Sequence, residues 1–258
     1  MIVCIDVGNS NITYGVYKDN SLLFSFRNDT KEITCDDILM EYFTIGINQY
    51  GVRERDIECA VIDSVVPEID GLLKKVLDDL NIEYYFVEYN SPLGINIDLD
   101  DPSEIGSDLL VGAFQAAEKY HLPLIVVDMG TATTLVYVDE KKNFKGGVIY
   151  PGLISSFNNL FKDASKLNRI TMGMPENVVG SNTTDCIRSG MVNGSACAVN
   201  GLIEMIKNEY NLSQVTIVIT GGIASFMHTY INNSIYDENL LLDGLFNVYN
   251  RIIKNKGW

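Results

Sequence analysis

The chain has 258 residues, and 47% of them are hydrophobic, which is enough to build the cores of one large or two modest domains. Its 34 Asp and Glu residues outnumber its 19 Lys and Arg residues. The resulting formal net charge of -15 argues against general binding to nucleic acid or to anionic membrane surfaces. A polyphosphate ligand would need bound cations to approach such a protein, so for a nucleotide ligand we expect metal dependence.

The cysteines and the apolar stretches indicate where the protein resides. The five cysteines are scattered and form no C-x-x-C pair, which disfavours a disulfide framework and a zinc site. The first apolar stretch contains Asp6 and has no basic flank, so we expect no signal peptide. No apolar run approaches the roughly 18 residues of a membrane span. We therefore expect a cytoplasmic protein.

The first part of the chain alternates short apolar runs with turn residues. Periodicity predicts strands over 2–7, 11–17 and 22–27, a helix over 36–50, a strand over 57–63, a helix over 67–80 and a strand over 83–88. Pro67 suits the first turn of its helix, where no backbone N–H is needed.

The second part repeats this plan. Apolar residues at helical spacing predict a bridging helix within 102–120. Beyond it we predict strands over 124–128, 133–139 and 144–149, helices over 152–166 and 183–209, a strand over 215–220, and further helices. Both halves read β-β-β-α-β-α. The pattern predicts an α/β protein with two domains, 1–115 and 116–258, each a mixed β-sheet with helices, that enclose a ligand cleft.

Each half ends its first strand with the same polar motif. The two copies are Asp6-Val7-Gly8-Asn9-Ser10 and Asp128-Met129-Gly130-Thr131. The glycine lets the backbone approach a bulky anion, its neighbours offer N–H and hydroxyl donors, and the aspartate can hold a cation or its water. A hairpin turn with an Asx hydrogen bond explains a single copy better. Two copies, the second followed by Thr133 and Thr134, favour a site for a metal-bound phosphate.

Two further stretches suit a nucleotide. Thr220-Gly221-Gly222 ends an apolar strand, and paired glycines let a flat base or a ribose lie against the backbone. A tight strand-to-helix turn explains the same glycines equally well. Pro151-Gly152 stands just ahead of a predicted helix, whose N-terminal amides could face an anion.

Seven segments, in order and nearly end to end, resemble the type III pantothenate kinases. They are DVGNSN (6–11), SVVP (64–67), DPSEIGSD (101–108), DMGTATT (128–134), GGVIYPGL (146–153), VVGSNTTDCIRSG (178–190) and ITGG (219–222). That family belongs to the acetate and sugar kinase, Hsp70 and actin superfamily, so the resemblance implies two ribonuclease-H-like (actin-like ATPase) domains. It also implies a homodimer that transfers the γ-phosphoryl group of ATP to the 4'-hydroxyl of pantothenate, the first step towards coenzyme A. The implied cofactors are Mg²⁺ or a similar divalent ion, and K⁺ or NH4⁺.

The resemblance further implies roles for individual residues. The first phosphate loop would comprise Asp6, Val7, Gly8, Asn9, Ser10, Asn11, Ile12 and Thr13, with Asp6 near the divalent ion. Asp128 would contact the monovalent cation, and Thr131 would bind ATP together with Gly221 and Gly222. The acceptor pocket would be lined by Leu99, Gly106, Ser107, Asp108, Leu109 and Thr183, with Asp108 as the general base. An aspartate suits phosphoryl transfer, which depends mainly on positioning and charge neutralisation. The alternative for Asp108 alone is a helix N-terminal carboxylate stabilised by the helix dipole.

Two positions depart from the family pattern. Leu109 stands where the family has an arginine, and Leu99 stands where it has a tyrosine. An arginine would pair with the pantothenate carboxylate, and its loss would cost about 1.5–3 kcal/mol of binding. Either another cation substitutes, with Arg188 and Arg169 as candidates, or the acceptor differs, or activity is lost.

Two alternatives to a pantothenate kinase stay open, and Leu109 motivates the first of them. One is a kinase of the same fold for a different small alcohol. The other is a noncatalytic nucleotide-binding regulatory relative. The presence of Asp6, Asp108, Asp128 and Thr131 favours an enzyme over the second alternative, because a protein that only binds needs no base.

Overall fold

A computed structural model describes residues 1–163 and 170–254, which form two units. Unit 1 contains Met1–Ile95, Asp100–Glu118 and the described residues from Asn239 onward. Unit 2 contains Asn96–Leu99 and the described part of Lys119–Glu238. No helix within the described ranges combines the length and the apolar character needed to cross a membrane.

The regular elements are as follows. The strands are β1 (Ile2–Val7), β2 (Asn11–Lys18), β3 (Ser21–Asp29), β4 (Cys59–Ser64), β5 (Glu83–Phe86), β6 (Asn96–Ile97), β7 (Leu124–Met129), β8 (Ala132–Val138), β9 (Asn143–Pro151), β10 (Thr216–Thr220) and β11 (Ser234–Tyr236). The helices are α1 (Asp36–Asn48), α2 (Pro67–Asp79), α3 (Ser107–Lys119), α4 (Leu153–Asp163), α5 (Thr183–Glu209), α6 (Ala224–Met227) and α7 (Leu240–Val248). A π-helical turn, Tyr249–Ile253, follows α7.

The sheet of unit 1 has the strand order β3-β2-β1-β4-β5. Its first three strands are antiparallel neighbours, whereas β1, β4 and β5 run parallel. The central strand β1 is apolar almost throughout because both of its faces are covered, as is usual for central strands of such sheets. The carboxyl ends of β1 and β4 consequently lie at the same edge of the sheet.

Helices cover both faces of this sheet. Val3, Ile5 and Val7 on one face share a core with apolar side chains of α1 and α2. On the other face, the Tyr17 ring stacks on Phe246 of α7 at a centroid distance of 4.4 Å. The C-terminal residues therefore group with unit 1, whereas the predicted division into 1–115 and 116–258 places them in the other half. Periodicity identifies a helix there but does not show which sheet covers its apolar face.

The sheet of unit 2 repeats the same arrangement. Its order is β11-β10-β7-β8-β9-β6, and the run from β9 to β11 matches the run from β3 to β5 in unit 1 strand for strand. The directions match as well, because β7, β8 and β9 are antiparallel neighbours while β7, β10 and β11 are parallel. The predicted α/β class and the predicted duplication are thus confirmed. Unit 1 carries one more parallel strand, β5, than the β-β-β-α-β-α plan, and unit 2 carries two, β11 and β6.

Two helix predictions need adjustment. The bridging helix begins at Ser107, since Pro102–Glu104 forms a separate 3₁₀ turn in which the Asp101 side chain accepts a hydrogen bond from the Ser103 N–H. The helix predicted over 152–166 is described as Leu153–Asp163, and the rest of that prediction lies outside the described residues. The helix predicted over 183–209 is confirmed at both ends.

Candidate active site

The β1–β2 turn of unit 1 is held in place by a residue that follows β3. The Gly8 N–H donates to the Asn11 carbonyl over 3.0 Å, which closes the turn. The Thr30 hydroxyl donates to the Gly8 carbonyl over 2.7 Å, and the Thr30 N–H donates to the Ser10 carbonyl over 3.0 Å. Thr30 is buried. The β1–β2 turn is therefore a fixed hairpin, as the alternative interpretation of the motif predicts. The phosphate-binding role of the loop stays a prediction.

Side chains of this loop divide into two sets. Val7 and Ile12 belong to the hydrophobic core, so only their backbone groups can contact a ligand. Asn9 and Asn11 are exposed, and Thr13 is half-buried. Polar donors thus line the surface of the loop, as an anion site requires.

The SVVP segment and the GSD segment of unit 1 meet through two serines. The Ser64 N–H donates to the Ser107 hydroxyl, and that hydroxyl donates to the Ser64 carbonyl, both over 3.0 Å. The Val65 N–H donates to the Val7 carbonyl over 3.1 Å. These bonds join the start of α3 to the ends of β1 and β4. Two segments that are separated in sequence therefore lie together beside the β1 strand end.

Asp108 stands in the first turn of α3, next to this junction. A Cβ atom at Gly106 would lie 2.5 Å from the Asp108 Oδ1 atom, so a larger residue at 106 would displace the carboxylate. Burial raises the pKa of the Asp108 carboxyl above its ordinary value, although backbone hydrogen bonds, including one from the Leu109 N–H at 2.7 Å, oppose the rise. A desolvated carboxylate of this kind is a better proton acceptor than an exposed one.

In unit 2 the glycine after β10 packs against the aspartate that ends β7. Thr220 and Asp128 are register partners, and Gly221 follows with a φ of 99°. A Cβ atom at Gly221 would lie 2.3 Å from the Asp128 Oδ1 atom and 2.6 Å from the Met129 nitrogen. Only glycine therefore fits at this position. Gly222 differs, since a Cβ atom there would meet nothing within 4 Å.

The turn after β7 also contacts the end of β9. The Gly152 N–H donates to the Thr131 carbonyl over 3.0 Å, and the Ser155 hydroxyl donates to the same carbonyl over 2.9 Å. A Cβ atom at Gly152 would lie 2.3 Å from the Gly130 carbonyl oxygen. The Thr131 side chain itself is exposed. Three of the predicted motifs, around Gly130, Gly152 and Gly221, therefore converge in unit 2.

The predicted acceptor residues belong to different units. Gly106, Ser107, Asp108 and Leu109 lie together in unit 1, as the preceding contacts show, whereas Leu99 and Thr183 belong to unit 2. Leu99 lies beside Gly146, and Thr183 is exposed at the first position of α5.

The two candidate cations are Arg188 and Arg169. Arg188 donates through Nε and Nη2 to the Thr171 carbonyl over 3.2 and 3.1 Å. Arg169 lies outside the described residues. Of the two candidates, the structure therefore describes the hydrogen bonds of Arg188 alone.

The carboxylates at the strand ends suit a metal ion that is bound partly by the protein and partly by a substrate phosphate. Within residues 1–163 and 170–254, no group of three or more His, Cys, Asp or Glu side chains is arranged to hold a metal ion. Mg²⁺ needs no such group, since it is commonly bound by one or two carboxylates together with water and substrate phosphates. Asp6, near the end of β1 in unit 1, offers the hard oxygen atoms that this mode requires, and Asp128, near the end of β7 in unit 2, offers oxygen atoms of the kind that a monovalent cation takes.

Sequence reasoning missed two residues of this region. Thr30 carries no sequence signal, because its partner loop lies about 20 residues earlier and only the β2–β3 pairing brings them together. Asp63 does carry one, since "AVID" ends an apolar strand as "VCID" does at Asp6. The two aspartates are register partners in β1 and β4.

The duplicated sheets, each with a glycine turn after its first strand, define a protein of the actin-like ATPase and sugar kinase fold. The family model for type III pantothenate kinase matches residues 2–205. The chain belongs to the type III pantothenate kinase family. It is 37% identical over 254 residues to a type III pantothenate kinase of Halalkalibacterium halodurans, covering 97% of this chain and 99% of that relative. It is also 37% identical over 255 residues to one of Agathobacter rectalis, covering 97% of each.

Solved structures of low sequence identity share the fold. A protein of Campylobacter jejuni described as a Baf family transcriptional activator matches with a TM-score of 0.60 at 18% identity, over 99% of this chain and 100% of that one. Component A of (R)-2-hydroxyglutaryl-CoA dehydratase from Acidaminococcus fermentans matches with a TM-score of 0.56 at 12% identity, over 96% and 95%. At such identities these matches establish the fold alone.

Proposed function

We propose that this protein is an ATP-dependent kinase that phosphorylates pantothenate to 4'-phosphopantothenate, the first step of coenzyme A biosynthesis. The observation that carries the proposal is the 37% identity over 97% of the chain to a type III pantothenate kinase. The contacts within each unit support it, because the glycine turns and the Asp108 environment are those that phosphoryl transfer needs.

Nucleotide-binding groups are assigned within each unit by itself. In unit 1 the residues from Asp6 to Thr13 bind phosphate through exposed polar side chains and backbone N–H groups. In unit 2 Thr131 offers an exposed hydroxyl, and Gly221 and Gly222 offer backbone surface. Asp6 holds the divalent ion and Asp128 the monovalent cation, K⁺ or NH4⁺. The divalent ion, when bound, neutralises charge on the transferring phosphoryl group.

Asp108 is proposed as the general base. The acceptor hydroxyl oxygen bonds to the γ-phosphorus of ATP, the bond from that phosphorus to the bridging oxygen of ADP breaks, and the hydroxyl proton passes to the Asp108 carboxylate. The Ser64–Ser107 hydrogen bonds fix the start of α3 and so position Asp108. Gly106 leaves room for the carboxylate beside it.

An ADP-release assay with pantothenate, Mg²⁺ and K⁺ tests this function. Turnover with pantothenate supports the proposal. Turnover with other small alcohols, and not with pantothenate, supports a kinase of the same fold for a different acceptor. Leu109, which replaces the family arginine, is the reason to consider that alternative. Binding of ATP without turnover on any alcohol selects the noncatalytic alternative.

Leu109 cannot form an ion pair, so recognition of the acceptor carboxylate is assigned to another cation, with Arg188 and Arg169 as the candidates. The test uses Arg188, whose hydrogen bonds are described. Arg188→Gln is expected to lower kcat/KM for pantothenate by about 10- to 100-fold, since a charged hydrogen bond of about 1.5–3 kcal/mol is lost. Pantothenol, in which an alcohol replaces the carboxylate, is the matched substrate, and its kcat/KM is expected to stay the same. An equal fall for both substrates would show that Arg188 has only a structural role.

The active form is proposed to be a cytoplasmic homodimer. Exposed apolar side chains in unit 2 support a protein interface, since Val178 and Val179 are 77% and 86% exposed and Ile149 is 67% exposed. Light scattering is expected to give twice the chain mass of 28.7 kDa.

Val179→Asp is expected to shift the protein towards monomer, while Leu23→Ser, which changes an exposed leucine of unit 1, is expected to leave the dimer intact. A monomeric wild-type protein at micromolar concentration would contradict this assignment.

A further inference from the structure

Three buried hydroxyl groups lie close to the Thr131 turn in unit 2. They belong to Thr133 on β8, Tyr150 on β9 and Ser195 on α5. Thr133 and Tyr150 form the second register pair from the turn. Each hydroxyl oxygen is shielded from solvent, and none has a hydrogen-bond partner within the described part of the chain. Buried polar groups rarely stay unsatisfied in folded proteins, because each one costs free energy.

These hydroxyls stand at positions where apolar side chains are expected. Thr133 shares its sheet face with Leu135 and Tyr137, which belong to the hydrophobic core of unit 2. Ser195 follows the core residue Val192 by one helical turn. Valine, phenylalanine and alanine would fill the three places with nearly the same shapes. The polar atoms therefore need a reason other than packing.

The three hydroxyls are close to one another without being bonded. Burial raises the pKa of the Tyr150 hydroxyl, and the nearby Ser195 and Thr133 hydroxyls oppose the rise. Each hydroxyl can donate one hydrogen bond and accept two, yet no pair among the three has hydrogen-bond geometry. A buried water molecule typically makes about three hydrogen bonds to polar groups of this kind. One water molecule between the three oxygens would satisfy all of them.

The hydroxyl cluster is connected to the Thr131 turn along both strands of the hairpin. Thr133 stands two residues after Thr131 on β8. Tyr150 stands two residues before Gly152, whose N–H donates to the Thr131 carbonyl over 3.0 Å. A movement of either strand relative to α5 would therefore change where the turn presents its exposed Thr131 hydroxyl.

We propose that Thr133, Tyr150 and Ser195 bind one internal water molecule, and that Tyr150 acts through it as a positioning residue for the Thr131 turn. The inference deepens the proposed function and rests on it, since it requires that this turn binds ATP. The water joins β8, β9 and α5, and so holds the turn in the arrangement in which Thr131 meets the nucleotide. Tyr150, whose hydroxyl is shielded from solvent, does not itself contact the nucleotide.

Calorimetry with MgATP and steady-state kinetics on the full chain test the positioning role. Tyr150→Phe removes the hydroxyl and keeps the ring. MgATP binding is expected to weaken about five- to tenfold, the equivalent of one hydrogen bond, while the KM for pantothenate stays the same. Tyr137→Phe is the matched control, because it removes a hydroxyl from the same sheet face farther from the turn. It is expected to change neither quantity.

A high-resolution crystal structure of the wild-type protein tests the water site itself. It is expected to show one water molecule within hydrogen-bond distance of all three oxygen atoms. If Tyr150→Phe does not fold, Ser195→Ala serves in the binding experiment, because it removes another hydroxyl of the same site. Its MgATP binding is expected to weaken by a similar factor.

Three results overturn the inference. The first is a crystal structure in which the three hydroxyls bond directly to one another with no water between them. The second is unchanged MgATP binding in a folded Tyr150→Phe protein. The third is an equal loss for MgATP and for pantothenate, which would show that Tyr150 only supports the fold. The proposed function fails separately, if the wild-type protein does not bind MgATP.

Discussion

Asp108→Asn is expected to lower kcat for pantothenate phosphorylation by about 10²- to 10⁴-fold, the range that a general base contributes. The asparagine has nearly the same shape and can accept the hydrogen bond from the Leu109 N–H, so the start of α3 is preserved. The KM for ATP is expected to change little, because the nucleotide is assigned to other residues. Steady-state kinetics with the ADP-release assay measures both quantities.

Asp101→Asn is the control for this variant. Asp101 is exposed, and its side chain accepts hydrogen bonds from the N–H and the hydroxyl of Ser103. Asparagine also caps such a turn, so activity is expected to stay close to the wild-type value. A comparable loss of kcat in both variants would mean that Asp108 stabilises the structure of this segment and does not accept the proton.

The pH profile provides a second readout for Asp108. Only the ionised carboxylate accepts a proton, so activity is lost as pH falls through the pKa of Asp108. Since burial raises that pKa, the acidic limb of kcat/KM is expected to lie above the ordinary aspartate value of about 3.9. Whatever residual activity Asp108→Asn retains is expected to lack this limb.

Gly221→Ala is expected to weaken ATP binding by at least about tenfold and to lower the melting temperature. The positive φ and the contacts with Asp128 and the Met129 backbone leave no space for a methyl group, and such backbone strain costs on the order of 1–3 kcal/mol. Relief of the strain would move the end of β10 away from Asp128. Calorimetry with MgATP and thermal unfolding measure the two effects.

Gly222→Ala provides the comparison, because it adds the same methyl group one residue later. No atom lies within 4 Å of that position and its φ is not in the left-handed region, so folding and stability are expected to be retained. If both variants bind ATP as the wild type does, the paired glycines form only a strand-to-helix turn. Loss in Gly222→Ala alone would place the nucleotide against residue 222 instead.

Much of the architecture was accessible from the sequence. The central strands are long apolar runs bounded by Gly, Asn and Asp, and α5 has a clear start at Asn182, whose side chain accepts a hydrogen bond from the Asp185 N–H. Strands β6 and β11 escaped prediction because two or three residues are too few to show a period. They are strands only because a neighbouring strand offers hydrogen-bond partners.

For the candidate site, sequence motifs identified segments but not their contacts. The glycines of unit 2 were singled out, and their close packing around Asp128 gives a physical reason why no other residue fits at Gly221. The Ser64–Ser107 pair and Thr30 depend on residues far apart in the chain. Only the pairing of strands brings such groups together, so periodicity and spacing cannot reveal them. The ligand roles themselves remain predictions.

The return of the chain to unit 1 at Asn239 has a consequence for biosynthesis. Leu240, Leu242 and Leu245 of α7 are buried, and Tyr17 of β2 uses this helix for its aromatic stacking. The ribosome makes these residues after the whole of unit 2. The sheet of unit 1 therefore has one apolar face uncovered until they emerge, which makes that face a contact for a chaperone on the nascent chain.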